Sequence, residues 1–228
     1  MAFRDDMRRI RAIVWKDLTT ERRSKAGFNS VASLGVTILV LFGLALGPAN
    51  DMLQAAAPGA LWLAVLFAGV LAFNRSYQVE LDGGALEALL LYPGSRWAIF
   101  AGKLIANLIF VTLMLVIVVA VGIVLFQVTI PPKWPQILLV LMLGVVGIVA
   151  LGTFYAAMSS RSRAREVLLP LLLYPMLIPV MLAAMEATKA FLSGNALIEA
   201  GAFIQMLMLF DVIFLVATFL AFEYVIEV

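Results

Sequence analysis

Apolar residues in this chain gather into six long runs, near residues 28–46, 58–74, 104–126, 136–158, 167–185 and 203–222. A helix rising ~1.5 Å per residue needs ~20 such residues to cross ~30 Å of hydrocarbon. Runs 104–126 and 136–158 carry no charge. Run 58–74 is short and gives way to Arg75, which can snorkel toward the interface. Run 203–222 holds Asp211 near its middle, an insertion cost of about 2.5–3.5 kcal/mol, which the neighbouring Leu, Ile and Phe residues offset a few tenths at a time. The pattern predicts an all-α membrane protein with six transmembrane helices.

A different pattern precedes the first run. Phe3, Met7, Ile10, Ile13, Val14 and Leu18 recur at helical spacing, with Arg4, Arg8, Arg11 and Arg22 on an adjacent face. The expectation is an amphipathic helix in the headgroup plane, its apolar side toward lipid and its arginines toward anionic headgroups. Gly27 would end it. The chain thus divides into an interfacial elbow helix, 1–27, and a six-span domain, 28–228.

Composition sharpens this picture. Hydrophobic residues make up 64% of the chain and charged ones 13%, and mean hydropathy is +1.07, so too few polar faces exist to cover the runs in water. Fourteen of the sixteen basic residues fall in the leading segment, in the loop between runs two and three, or in that between runs four and five. By the positive-inside rule both termini face the cytoplasm. The charged leading segment also argues against a cleavable leader. There is neither cysteine nor histidine, hence no disulfide, thiolate or imidazole site. The formal charge of +2 reflects the basic face and gives no reason to expect nucleic acid. No paired carboxylates, metal cluster or activated nucleophile point to an enzyme.

The loop at about 75–103 is the most structured of the polar segments. Gly83-Gly84 breaks the preceding helix, and Gly84 stands three residues before Glu87, as in a capping box. A short helix from Ala85 to about Leu91 would follow, stopped by Pro93, with Leu86, Leu89 and Leu90 on one side. Such a helix suits an apolar groove on a partner, or else packs on its own bundle. In the second loop, about 159–166, Arg161, Arg163 and Arg165 make a further contact, face lipid phosphate, or simply obey the topology rule. Pro170, Pro175 and Pro179 each delete a backbone donor in the fifth run, which predicts a bent span, either fixed or hinged. Asp211 requires a partner or a wet crevice, and a structural or intersubunit hydrogen bond is preferred to a proton relay because no second ionisable group lies at its depth. Gly102-Lys103 is the nearest approach to a phosphate loop, but Trp97 and Leu104 occupy positions that such a loop needs as Gly and Ser/Thr.

Several of these residues also carry a resemblance. Ala57-Pro58-Gly59, Leu81-Asp82-Gly83, Leu86-Glu87, Leu89-Leu90-Leu91 and the proline-rich stretch from Leu168 to Pro179 are similar to the haem exporter protein B (CcmB) family, permeases of cytochrome c maturation. Gly84 stands where that family often has a hydroxyl residue. The resemblance implies a membrane permease subunit of an ABC transporter in a bacterial inner membrane, of the ABC-2-type exporter architecture. Its partners would be a separate ABC ATPase subunit, a haem-handling membrane protein, a haem chaperone, membrane lipid and a second copy of itself as a homodimer. ATP would bind in the ATPase, and haem would be substrate of the complex rather than a cofactor held here. Glu80, Asp82, Gly83, Gly84, Leu86 and Glu87, with Arg161, Arg163 and Arg165, would couple to the ATPase. Met52 is available to haem in the outer loop, although most of the eleven methionines suit lipid or core. An export permease for another hydrophobic substrate and a non-transporting assembly scaffold stay open as alternatives.

Overall fold

The computed structural model describes residues 2–23, 25–82, 95–129, 134–160, 162, 164–193 and 199–225. Among these there are seven helices and no strand: α1 (Ala2–Arg23), α2 (Lys25–Leu46), α3 (Asn50–Asp82), α4 (Arg96–Leu125), α5 (Trp134–Ser159), α6 (Arg165–Leu192) and α7 (Glu199–Val225). Each of α2 to α7 is long and apolar enough to cross a membrane. The six-span, all-α expectation holds.

The helices outrun the apolar runs that announce them. α3 continues through Arg75 to Asp82, and α4 already begins at Arg96. Of the stretch 75–103, residues 75–82 and 96–103 are therefore helical, and the expected helix from Ala85 to Leu91 lies outside the described residues. Gly27 does not end the first helix, since it lies within α2. α6 stays continuous through Pro170, Pro175 and Pro179.

Between spans the chain turns by specific means. Gly47, at φ +68, closes α2 ahead of Pro48. α4 ends with the Phe126 N–H donating to Gly122 O, and Gln127 then adopts the left-handed conformation. The Gln127 carbonyl accepts from Gln54 Nε2 at 3.2 Å, which ties this turn to the first turns of α3.

α3 and α5 are the most enclosed spans, with the others around them. In a bilayer the hydrophobic effect does not drive helices together, so close approach through small residues matters more. α5 supplies it with three glycines. Gly144 receives the Trp62 ring and Gly152 the Phe73 ring, both from α3, while Gly147 lies under Asp211 of α7. A Cβ at Gly152 would come within 2.1 Å of Phe73 Cε2. Polar cross-links join the same elements: Asn107 Nδ2 donates to Thr153 Oγ1 at 3.0 Å, and Trp62 Nε1 donates to Thr188 Oγ1 at 3.1 Å. Interhelical bonds of this kind contribute about 0.6 kcal/mol each on average.

Candidate functional site

The richest polar constellation lies where α1 meets α3 and α4. α1 does not lay its apolar stripe on lipid as the sequence suggests. Ile10 and Ile13 are buried, with Ile10 packed on Ala98 and Ala101 and Ile13 against Gly102, while Met7 and Trp15 are exposed. A better-packed surface competes for that stripe: the first turns of α4 present Ala98, Ala101 and Gly102, small enough for a neighbouring helix to sit close. A Cβ at Gly102 would already meet Ile13 at 2.9 Å. Arg4, Arg8, Arg11 and Arg22 remain exposed, as expected.

Polar contacts bracket this apolar seam. At one end Asp6 Oδ1 accepts from the Ser95 hydroxyl at 2.5 Å and from the Ser95 N–H at 3.2 Å, and Arg9 donates to the Ser95 carbonyl at 3.3 Å. Ser95 is the N-cap of α4 and the first described residue after the 83–94 segment. Its side chain makes no capping bond within α4, being directed to Asp6 instead. At the other end Lys103, only 1% exposed, places Nζ 3.0 Å from Asp17 Oδ2 and 2.9 Å from the Ser76 carbonyl of α3. The same ammonium lies 5.1 Å from the centre of the Tyr77 ring. Lys16 pairs with the second Asp17 oxygen at 3.0 Å. Removing one partner of such a buried pair costs about 3–5 kcal/mol, because the other charge is left without compensation.

Glu21 and Arg75 form a third bridge, at 3.6 Å. The guanidinium lies directly over Gly27 of α2, where a Cβ would collide with it. Burial pushes the Glu21 carboxyl above its ordinary range; Arg75 opposes this and Asp17 adds to it. A cavity of ≈ 140 Å³ opens among the bridges, walled by Lys16, Asp17, Glu21, Arg75, Ser76 and Asn107 among others, with polar groups and room for water.

α1 therefore straps both approaches to residues 83–94: Ser95 just after them, and Ser76, through Lys103, shortly before them. Displacing either approach breaks charge-assisted contacts to α1 or carries α1 along.

Glu80 and Asp82 lie in the last turn of α3, and Arg165 opens α6. Gly83, Gly84, Leu86, Glu87, Arg161 and Arg163 lie outside the described residues. Met52 is exposed at the start of α3. Asp211 is buried elsewhere, among α5, α6 and α7. Among the described residues no group of His, Cys, Asp and Glu could hold a metal. At the end of the bundle away from the strap, a cavity of ≈ 240 Å³ is walled by apolar side chains and Thr188, whose hydroxyl is occupied by Trp62 and the Ala184 carbonyl.

The residues that build the strap are not among those that the sequence reading singles out for coupling. The signal was nevertheless present. Asp6, Ile10, Ile13, Asp17 and Glu21 follow one another at intervals of three or four, so the acids share the buried stripe with the isoleucines. Gly102-Lys103, weighed as a degenerate phosphate loop, serves packing and charge: the glycine admits Ile13 and the lysine meets Asp17.

The family model described as "CcmB protein" matches residues 8–228. The chain is similar to "Heme exporter protein B" of Rhodobacter capsulatus, 29% identical over 189 residues covering 82% of this chain and 86% of that protein. It is also similar to "Heme exporter protein B" of Pseudomonas aeruginosa, 30% identical over 158 residues, 69% of this chain and 70% of that protein. The protein of the same name from Paracoccus denitrificans is 26% identical over 185 residues, 81% of this chain and 84% of that protein. With the family model matched over nearly its whole length, this chain belongs to the CcmB family.

Proposed function

We propose that this chain is the membrane permease subunit of an ABC transporter complex for cytochrome c maturation, and that it couples ATP hydrolysis by a separate subunit to haem export. The observation that carries this reading is the strap. A loop that an ATPase pushes needs a rigid path into the bundle, and α1 joins the two approaches to residues 83–94 by a hydrogen bond from Ser95 to the Asp6 carboxylate and by the Asp17–Lys103 ion pair, whose ammonium also donates to the Ser76 carbonyl. Glu80, Asp82, Gly83, Gly84, Leu86 and Glu87 form the docking element, and Arg161, Arg163 and Arg165 give it a second contact. The strap end, which holds most of the basic residues, faces the cytoplasm of a bacterial inner membrane, with both termini on that side. Support for haem as cargo comes from the names of the relatives.

With neither histidine nor cysteine, the chain lacks the two commonest strong haem ligands. Haem is therefore ligated by a partner, a haem-handling membrane protein or a chaperone outside the membrane, and this subunit transmits the work that moves or releases it. Two copies act together as a homodimer. Glu87→Lys tests the docking element: the ATPase should no longer co-purify, or should hydrolyse ATP without haem delivery. Normal co-purification with normal delivery would refute the reading.

A further inference from the structure

Two cavities adjoin at the end of the bundle away from the strap. The first, of ≈ 240 Å³, is enclosed by four spans, with Ala57 and Leu61 of α3, Val119 of α4, Ile137 and Leu141 of α5 and Leu192 of α6 in its wall. Thr188 brings the one hydroxyl among the described residues of that wall, and this group is already engaged, accepting from Trp62 Nε1 and donating to the Ala184 carbonyl. A polar group placed inside would lose its water and gain no partner, so the chamber suits hydrocarbon.

The rim is different. Trp134 stands in the same wall and is 58% exposed. Indole rings collect at the level of lipid headgroups, which sets the depth of the opening. The second cavity, of ≈ 310 Å³, shares Pro58, Val128 and Leu192 with the first and is bordered by Gln54, Thr129, Lys189 and Ser193. Lys189 is the only charged side chain among the described residues that line either cavity. Gln54 and Ser193 already donate to the carbonyls of Gln127 and Ala190, so the ammonium is the strongest donor at the mouth. Its Nζ lies 3.5 Å from Glu186 Oε2, a carboxylate that lines neither cavity, and both side chains reach solvent. A surface pair of this kind is weak, so Lys189 can turn to a second anion at little cost.

We propose that the two cavities form one binding site for an anionic phospholipid, with an acyl chain in the apolar chamber and the phosphate at Lys189. The site divides as such a molecule does: a dry interior between four spans, an aromatic ring at the rim and a cation beyond it. On the orientation proposed above, the lipid comes from the outer leaflet. The site is independent of haem as cargo and of the strap, with which it shares no residue.

Photolabelling of the full-length protein in lipid nanodiscs tests it. The probe is phosphatidylglycerol with a diazirine on one acyl chain, and mass spectrometry maps the labelled residues. Label should concentrate on Leu61, Ile137 and Leu141 relative to Leu44, an apolar side chain 74% exposed at the same end of the bundle. Unlabelled phosphatidylglycerol should displace the wall label about fivefold better than phosphatidylcholine with the same chains, the advantage that one basic residue gives an anionic headgroup. Lys189→Gln should abolish that advantage and leave the Leu44 label unchanged; Lys189 is exposed, so the exchange leaves the fold intact. Wall label no denser than that on Leu44 overturns the proposal, whether bulk lipid or a second copy of the chain covers the opening. Equal displacement by the two lipids in the parent, or an undiminished preference in Lys189→Gln, overturns it as well.

Discussion

A methyl group added at Gly102 and one added at Gly152 both collide with a neighbour, but the neighbours differ in freedom. At Gly152 the obstacle is Phe73, fully buried between central spans, at 2.1 Å. At Gly102 it is Ile13 of α1, at 2.9 Å, on a helix outside the six spans. Gly152→Ala is expected to cost the bundle about 1–3 kcal/mol, the usual range for overpacking, and to lower its thermal midpoint. Gly102→Ala should lower the midpoint less than Gly152→Ala does and speed amide hydrogen exchange along α1. Equal effects on both readouts would show that the two glycines do the same job. Single residues are also where the sequence was hardest to read. In the sequence Lys103 is a basic residue just ahead of the third apolar run and part of a broken phosphate-loop pattern; only the fold places Asp17 beside it. Asp211 was conspicuous from the start, since a charge in an apolar run has no inexpensive explanation.

At the scale of elements, hydropathy located all six spans but not their ends. It measures contact with lipid, and α3 keeps its helical hydrogen bonds through Arg75 to Asp82, where the side chains turn polar. For α1 the spacing put Ile10 and Ile13 on the buried face, although Met7 of the same stripe is exposed, and the partner of that face depended on tertiary structure: Ala98, Ala101 and Gly102 pack against it. Docking of α1 should respond to pH through Glu21. Burial raises its affinity for a proton above the ordinary value of 4.5, so its contribution to docking is fully present below that value and is lost as pH rises through the raised one. On acidification from neutral pH toward 4.5, hydrogen exchange along α1 should slow more in the parent than in Glu21→Gln. Equal slowing in both would exclude Glu21 as the titrating group.

Over the whole molecule, charge and packing divide the work. Fourteen of sixteen basic residues fall in the leading segment or in the two loops that the positive-inside rule assigns to one side, while glycines and aromatic rings set how the spans meet. Three acids of α1, Asp6, Asp17 and Glu21, convert that charge bias into structure by engaging Ser95, Lys103 and Arg75. Because these contacts flank residues 83–94 on both sides, the proposed coupling has the strap end move as one piece under a push on that loop. Haem delivered per ATP hydrolysed, measured on the reconstituted complex with Asp17→Asn, tests this most directly. The strap predicts that hydrolysis continues while the ratio falls several-fold; a ratio equal to that of the parent complex would contradict it.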